Sequence, residues 1–117
     1  SVLNAQGVGR IFTEIYHRAD DGSEVFKWFV ELLKKANANK FVKGGLPTDE
    51  SGECIYEVAH KYGEDIKSLN DAAIVYYGDR PYVLVILTDY TGVYSQSFMN
   101  RISTDVYKIH QELTGDR

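Results

Sequence analysis

Apolar positions recur along this chain with two different periods. From residue 4 to 19 the period is helical: Val8, Ile11, Phe12, Ile15, Tyr16 and Ala19 form one stripe. Asn4 or Ser1 offers a cap, and Asp20-Asp21-Gly22 ends the helix, with Gly22 setting the stop. Ser23 offers the next N-cap, and Glu24 suits the positive end of a second helix. Val25, Phe26, Trp28, Phe29, Leu32, Leu33 and Ala36 give that helix a broad apolar face, broad enough to be covered on more than one side. Residues 37 to 52 carry Gly44-Gly45-Leu46-Pro47 and other turn formers, so they read as loop.

The period then drops to two. Ile55 to Gly63 predicts a strand with Tyr56, Val58, His60 and Tyr62 on one face and Glu57, Ala59 and Lys61 on the other. Asp71 to Tyr77 predicts a second strand, and Tyr82 to Asp89 a third. Gly78-Asp79-Arg80-Pro81 joins those two as an antiparallel hairpin. The third strand is apolar on both faces, which predicts a central position between two layers. Ser95 offers a cap for a last helix to Leu113, with Phe98, Met99, Ile102, Val106, Ile109 and Leu113 on one face and Thr114-Gly115 at its end. The order α-α-β-β-β-α predicts an α+β fold, an antiparallel three-stranded sheet packed with helices, as one domain over residues 1–117.

Composition narrows the partners. The chain has 117 residues, 44% of them hydrophobic, and a net charge of −4. Scattered basic residues and an acidic balance argue against nucleic acid. The longest apolar run, Tyr82 to Leu87, is far short of the roughly 20 residues of a membrane span. A single cysteine, Cys54, rules out an intrachain disulfide and has no neighbouring cation to activate it. His17, His60 and His110 show no metal-ligand spacing, so no metal or cofactor is expected. His60 reads as a packed histidine, and Tyr76, Tyr77, Tyr82, Tyr90 and Tyr94 as sheet and core packing.

Three segments carry a resemblance. Val58-Ala59-His60-Lys61-Tyr62-Gly63-Glu64, then Asn70-Asp71-Ala72-Ala73-Ile74-Val75-Tyr76, then Arg80-Pro81-Tyr82-Val83-Leu84-Val85-Ile86-Leu87-Thr88 stand in a fixed order. This run is similar to the C-terminal strands of class A β-lactamases and related penicillin-recognising serine hydrolases. In that family a Lys-Thr-Gly strand leads into a hairpin and a final helix. Phe41 to Pro47 resembles the segment before that strand. The resemblance implies the C-terminal part of the β-lactamase/transpeptidase-like fold, and acyl transfer on β-lactams or D-Ala-D-Ala cell-wall peptides. It gives Lys61 a charge beside the nucleophile and the substrate carboxylate. It makes Lys61, Tyr62, Gly63 and Glu64 a substrate-binding edge, and the Glu64 backbone N–H an oxyanion donor.

Two departures qualify it. Tyr62 stands where the family carries a small hydroxyl residue, so its own hydroxyl lies a ring's width farther out. None of the seven serines is followed three residues later by lysine, and Ser-Asp-Asn does not occur. The expectation is a segment lacking the nucleophile-bearing part and inactive alone. It would pair through Tyr82 to Asp89 with the N-terminal half of a parent protein or with a second copy. The resemblance alone implies a bacterial cell-envelope or extracellular site. The alternative is a non-catalytic α+β interaction module that pairs through its exposed sheet edge.

Overall fold

The computed structural model describes residues 4–36, 39–64, 66–89 and 93–115. Its elements are α1 (Ala5–Asp20), α2 (Glu24–Lys34), a 3-10 turn (Lys43–Gly45), β1 (Val58–Glu64), β2 (Leu69–Val75), β3 (Tyr82–Thr88) and α3 (Val93–Leu113). The expected order and the antiparallel sheet are both found, with strands in the order β1-β2-β3. Ser1, Tyr90 and the Tyr94 side chain lie outside the described residues.

Capping explains the helix limits. Asn4 Oδ1 accepts the Gly7 N–H at 2.7 Å, and Ser23 Oγ accepts the Phe26 N–H at 3.4 Å. Gly22 has φ 102°, a left-handed conformation that ends α1 at little steric cost. Ser95 is not the cap of α3: the helix already begins at Val93. The buried Ser95 hydroxyl has no partner among the described residues.

The sheet separates two cores. Phe12, Ile15, Val30 and Leu33 of α1 and α2 pack on Ala59, Ala72 and Ile74. On the opposite face Met99 of α3 packs with Phe41, Val42, Leu46, Val58, Leu69, Ala73, Val75 and Ile86. Burying Leu69, Ile74 and Val75 completely contributes roughly 1.5–3 kcal/mol each.

The structure corrects several pattern readings. The central, fully covered strand is β2, whereas β3 is an edge whose residues are mostly half-exposed. Ile55 to Glu57 precede β1, and β2 begins two residues earlier than Asp71. On α3, Phe98, Ile109 and Leu113 are exposed, while Met99 and Ser103 are fully buried. The sequence stripe therefore points partly away from the core. Val25, Trp28 and Leu32 of α2 are likewise open on this chain, as is Ile11 of α1.

Candidate functional site

The burial of β1 divides it in two. Val58, Ala59 and His60 are buried, whereas Lys61, Tyr62, Gly63 and Glu64 are exposed. The pairing fixes where their backbone groups point. Tyr76 donates its N–H to Glu57 O at 3.0 Å, one step beyond the Val58–Val75 pair. Bonded and non-bonded pairs alternate along an antiparallel ladder. Ala59, Lys61 and Gly63 therefore spend their N–H and C=O groups on β2. Those of Tyr62 and Glu64 face outward, away from the sheet. The Lys61 ammonium donates to Tyr62 O at 3.1 Å, which brings its charge to that same outer edge.

All four sequence-predicted residues thus meet at one exposed strand end. A Cβ at Gly63 would meet nothing within 4 Å, so packing does not demand glycine there and the space beside the strand is open. The Glu64 side chain shares the α3-facing side with His60 and Tyr62, by the alternation of the strand.

The buried half of β1 anchors this edge by polar contacts that the sequence did not announce. His60 and Asp71 are both fully buried, and His60 Nδ1 lies 3.1 Å from each Asp71 carboxylate oxygen. His60 Nε2 lies 3.3 Å from Ala36 O. Asp71 Oδ2 also accepts the Val42 N–H at 3.0 Å. This agrees with a packed histidine and adds the reason for it.

Segment 41–45 is held from its other side by α3. Gln96 Oε1 accepts the Phe41 N–H at 3.1 Å, and Asn100 Nδ2 donates to Phe41 O at 2.7 Å. Ser103 Oγ donates to Val42 O at 2.6 Å, and Thr104 Oγ1 to Gly45 O at 2.7 Å. Gly44 and Gly45 lie so close to α3 that a Cβ on Gly44 would collide with the Asn100 side chain. One on Gly45 would collide with the Asn100 carbonyl oxygen, the Ser103 Cβ and the Thr104 backbone nitrogen. Phe41 takes φ 62°, a left-handed conformation that costs a non-glycine residue roughly 1–3 kcal/mol and persists only when its surroundings enforce it. Its ring stacks on Tyr62 at 4.4 Å with an 18° interplanar angle.

Elsewhere the titratable groups read as structural. Burial, then Tyr16 and the nearby acids Glu31, Glu57 and Asp20, push the Tyr76 hydroxyl up to about 12. Burial pushes the Tyr82 hydroxyl up as well, next to Tyr107, Cys54 and Tyr77. The Asp49 carboxyl is held below its usual range by the Ser51 hydroxyl and by backbone N–H groups of its own turn. Among the described residues no three His, Cys, Asp or Glu side chains gather to hold a metal ion.

The second open edge is different. A groove of about 850 Å³ runs along β3 between α1 and α3, lined among others by Val8, Leu84, Leu87, Phe98 and Ile102.

A model of the beta-lactamase enzyme family matches residues 1–110 of the sequence. The chain belongs to this family. Its fold is also that of a solved structure described as PBP-A, with a TM-score of 0.73 over 90% of this chain. Identity is 14%, so this likeness shows the shared fold. The chain spans 38% of the length of PBP-A. Curated proteins gave no match.

Proposed function

We propose that this chain supplies the substrate-binding edge of a β-lactamase-like acyl-transfer site. The observation that carries the reading is the outward edge of β1: the Glu64 N–H, the Lys61 ammonium and the open space at Gly63 meet there. An extended ligand ending in a carboxylate would lie along this edge as an added strand. Lys61 would take its charge, and the Glu64 N–H would donate to the oxygen that becomes negative during acyl transfer. The substrates proposed are β-lactams or D-Ala-D-Ala cell-wall peptides, at the envelope of a bacterium.

Acyl transfer also needs a nucleophile. The sequence holds no Ser-x-x-Lys, so the chain by itself is proposed to bind and not to turn over. The companion that brings the serine, the N-terminal half of a parent protein or a second copy, would pair along β3. The apolar groove there supports that placement. It also favours the second reading, a non-catalytic module that associates through the same edge.

Amide spectra of the ¹⁵N-labelled chain, titrated with benzylpenicillin and with an acetylated D-Ala-D-Ala dipeptide, test the binding claim. Shifts concentrated at Tyr62, Gly63 and Glu64, and lost in Lys61→Met, are expected. An unchanged edge, or the same shifts in Lys61→Met, overturns it. Intact mass after incubation with benzylpenicillin should show no adduct, and an acyl adduct on this chain would refute its proposed inactivity.

A further inference from the structure

The Tyr62 ring lies where a substrate-facing hydroxyl was expected, and the structure turns it elsewhere. Tyr62 shares the parity of Val58 and His60, the face that packs toward α3. Its ring lies flat on Phe41, which is itself buried. Phe41 offers that ring from a left-handed backbone conformation, φ 62°. The conformation is enforced from three directions. Gln96 and Asn100 hold the Phe41 N–H and C=O, Ser103 and Asp71 hold the next residue, and His60 holds Asp71. A strained residue fixed by this many contacts, its ring both packed in the α3-side core and stacked on Tyr62, ties the placement of Tyr62 to that of Phe41.

We propose that Phe41 is a positioning residue that pins the Tyr62 ring to the α3-facing side of β1. The outer N–H groups of Tyr62 and Glu64 then stay open, and a ligand is recognised by backbone and Lys61 without the Tyr62 hydroxyl. The inference rests on the proposed function and narrows it. A ligand that needs a side-chain hydroxyl beside its carboxylate is served poorly here. One that pairs its own backbone with the strand is served well.

The test compares three variants by NMR and by benzylpenicillin titration. Tyr62→Phe should keep the stack and bind within about twofold of the parent chain. Phe41→Leu removes the ring below Tyr62. The Tyr62 ring protons should lose their ring-current shift, the Tyr62 and Glu64 amides should move, and affinity should fall about tenfold, which is about 1.4 kcal/mol. Asn100→Ala removes one of the two α3 side-chain bonds to the Phe41 backbone without touching either ring, and should give the same changes more weakly if Phe41→Leu does not fold. A tenfold loss in Tyr62→Phe, or unmoved ring and edge signals in both other variants, overturns the proposal. Should the parent chain bind neither benzylpenicillin nor the dipeptide, the functional reading and the ligand clause fall together. The ring signals then decide the positioning role by themselves.

Discussion

The two outer strands of this sheet end in opposite chemistry. The free edge of β1 is polar and short: beyond His60 it carries Lys61, Gly63 and Glu64, and Tyr62 with its ring laid aside. The free edge of β3 is apolar along its length and opens into a groove walled by Val8, Leu87, Phe98 and Ile102. A charged or short edge is protected against unwanted pairing, and a long apolar edge invites it. The difference teaches that an open edge can be built to admit a small ligand or to be covered by protein. The side chains beside it decide which. The anchoring differs too: β1 is held by polar contacts, through His60–Asp71 and by α3 through segment 41–45, whereas α3 meets β3 by apolar packing, Met99 and Ile86 lying in one core.

The largest expected effect breaks the anchor of β1. Asp71→Ala leaves His60 and the Val42 N–H buried without their acceptor, and should lower stability by about 3–5 kcal/mol in urea melts. Gly45→Ala pushes segment 41–45 off α3. Overpacking of that kind should cost about 1–3 kcal/mol in the same melts, with the Phe41–Tyr62 stack disturbed in NMR spectra.

On the β3 side the sign reverses. The Tyr82 hydroxyl is buried without a partner among the described residues, so Tyr82→Phe should stabilise the chain by about 1 kcal/mol. The hydroxyls of Tyr76 and Tyr82 are both pushed above the ordinary tyrosine value of about 10. The unfolded chain therefore releases these protons first. Their contribution is fully present below about pH 10 and is lost as pH rises toward about 12. Melts at about pH 8 and about pH 11 should show that loss, and Tyr82→Phe should reduce it.

Leu87→Lys sharpens the contrast by giving β3 the charge that β1 already has. Leu87 is 40% exposed, so stability should change by less than about 0.5 kcal/mol. Light scattering across a concentration series should show self-association abolished. A chain that stays monomeric before the substitution would remove the claim that this edge invites pairing. The smallest stability effect is expected for Lys61→Met, within about 0.5 kcal/mol, because its ammonium makes an exposed contact. Lost binding with unchanged melting would separate the ligand edge from the structural one.

Much of this was legible in the sequence because it depends on local rules. Asn4 and Ser23 cap the helices they precede, Gly22 stops α1, and the hairpin between β2 and β3 follows from residues 78–81. Lys61 to Glu64 were placed together because they are adjacent on one strand. What periodicity could not show is polar burial. Asp71 looked like the polar start of a strand and is instead a fully buried acceptor within β2. Asn100, Ser103 and Thr104 looked like the solvent face of α3, yet they turn inward to hold backbone groups about 60 residues away, as the separations of 59 and 61 record. Hydrophobic patterning treats such residues as outside, because nothing in their own neighbourhood names the distant partner. The rank of β2 and β3 was missed for a related reason: apolar content on both faces reports what a strand can bury, and β3 has no strand on its outer side among the described residues.

The clamp on segment 41–45 also sets an order of events. Its fasteners lie on α3 at sequence separations of 55 to 61 residues, so they close a long loop. Loops of that length are slow to close, and the contacts made by α3 become available only after β1 and β2 have been synthesised. While a ribosome still holds residues 96–104, β1 and β2 can already pair and Asp71 can hold Val42, but the α3 bonds that fasten Phe41 are missing. The ligand edge should therefore mature after the sheet, and a chain cut short of α3 should carry a sheet without a finished edge.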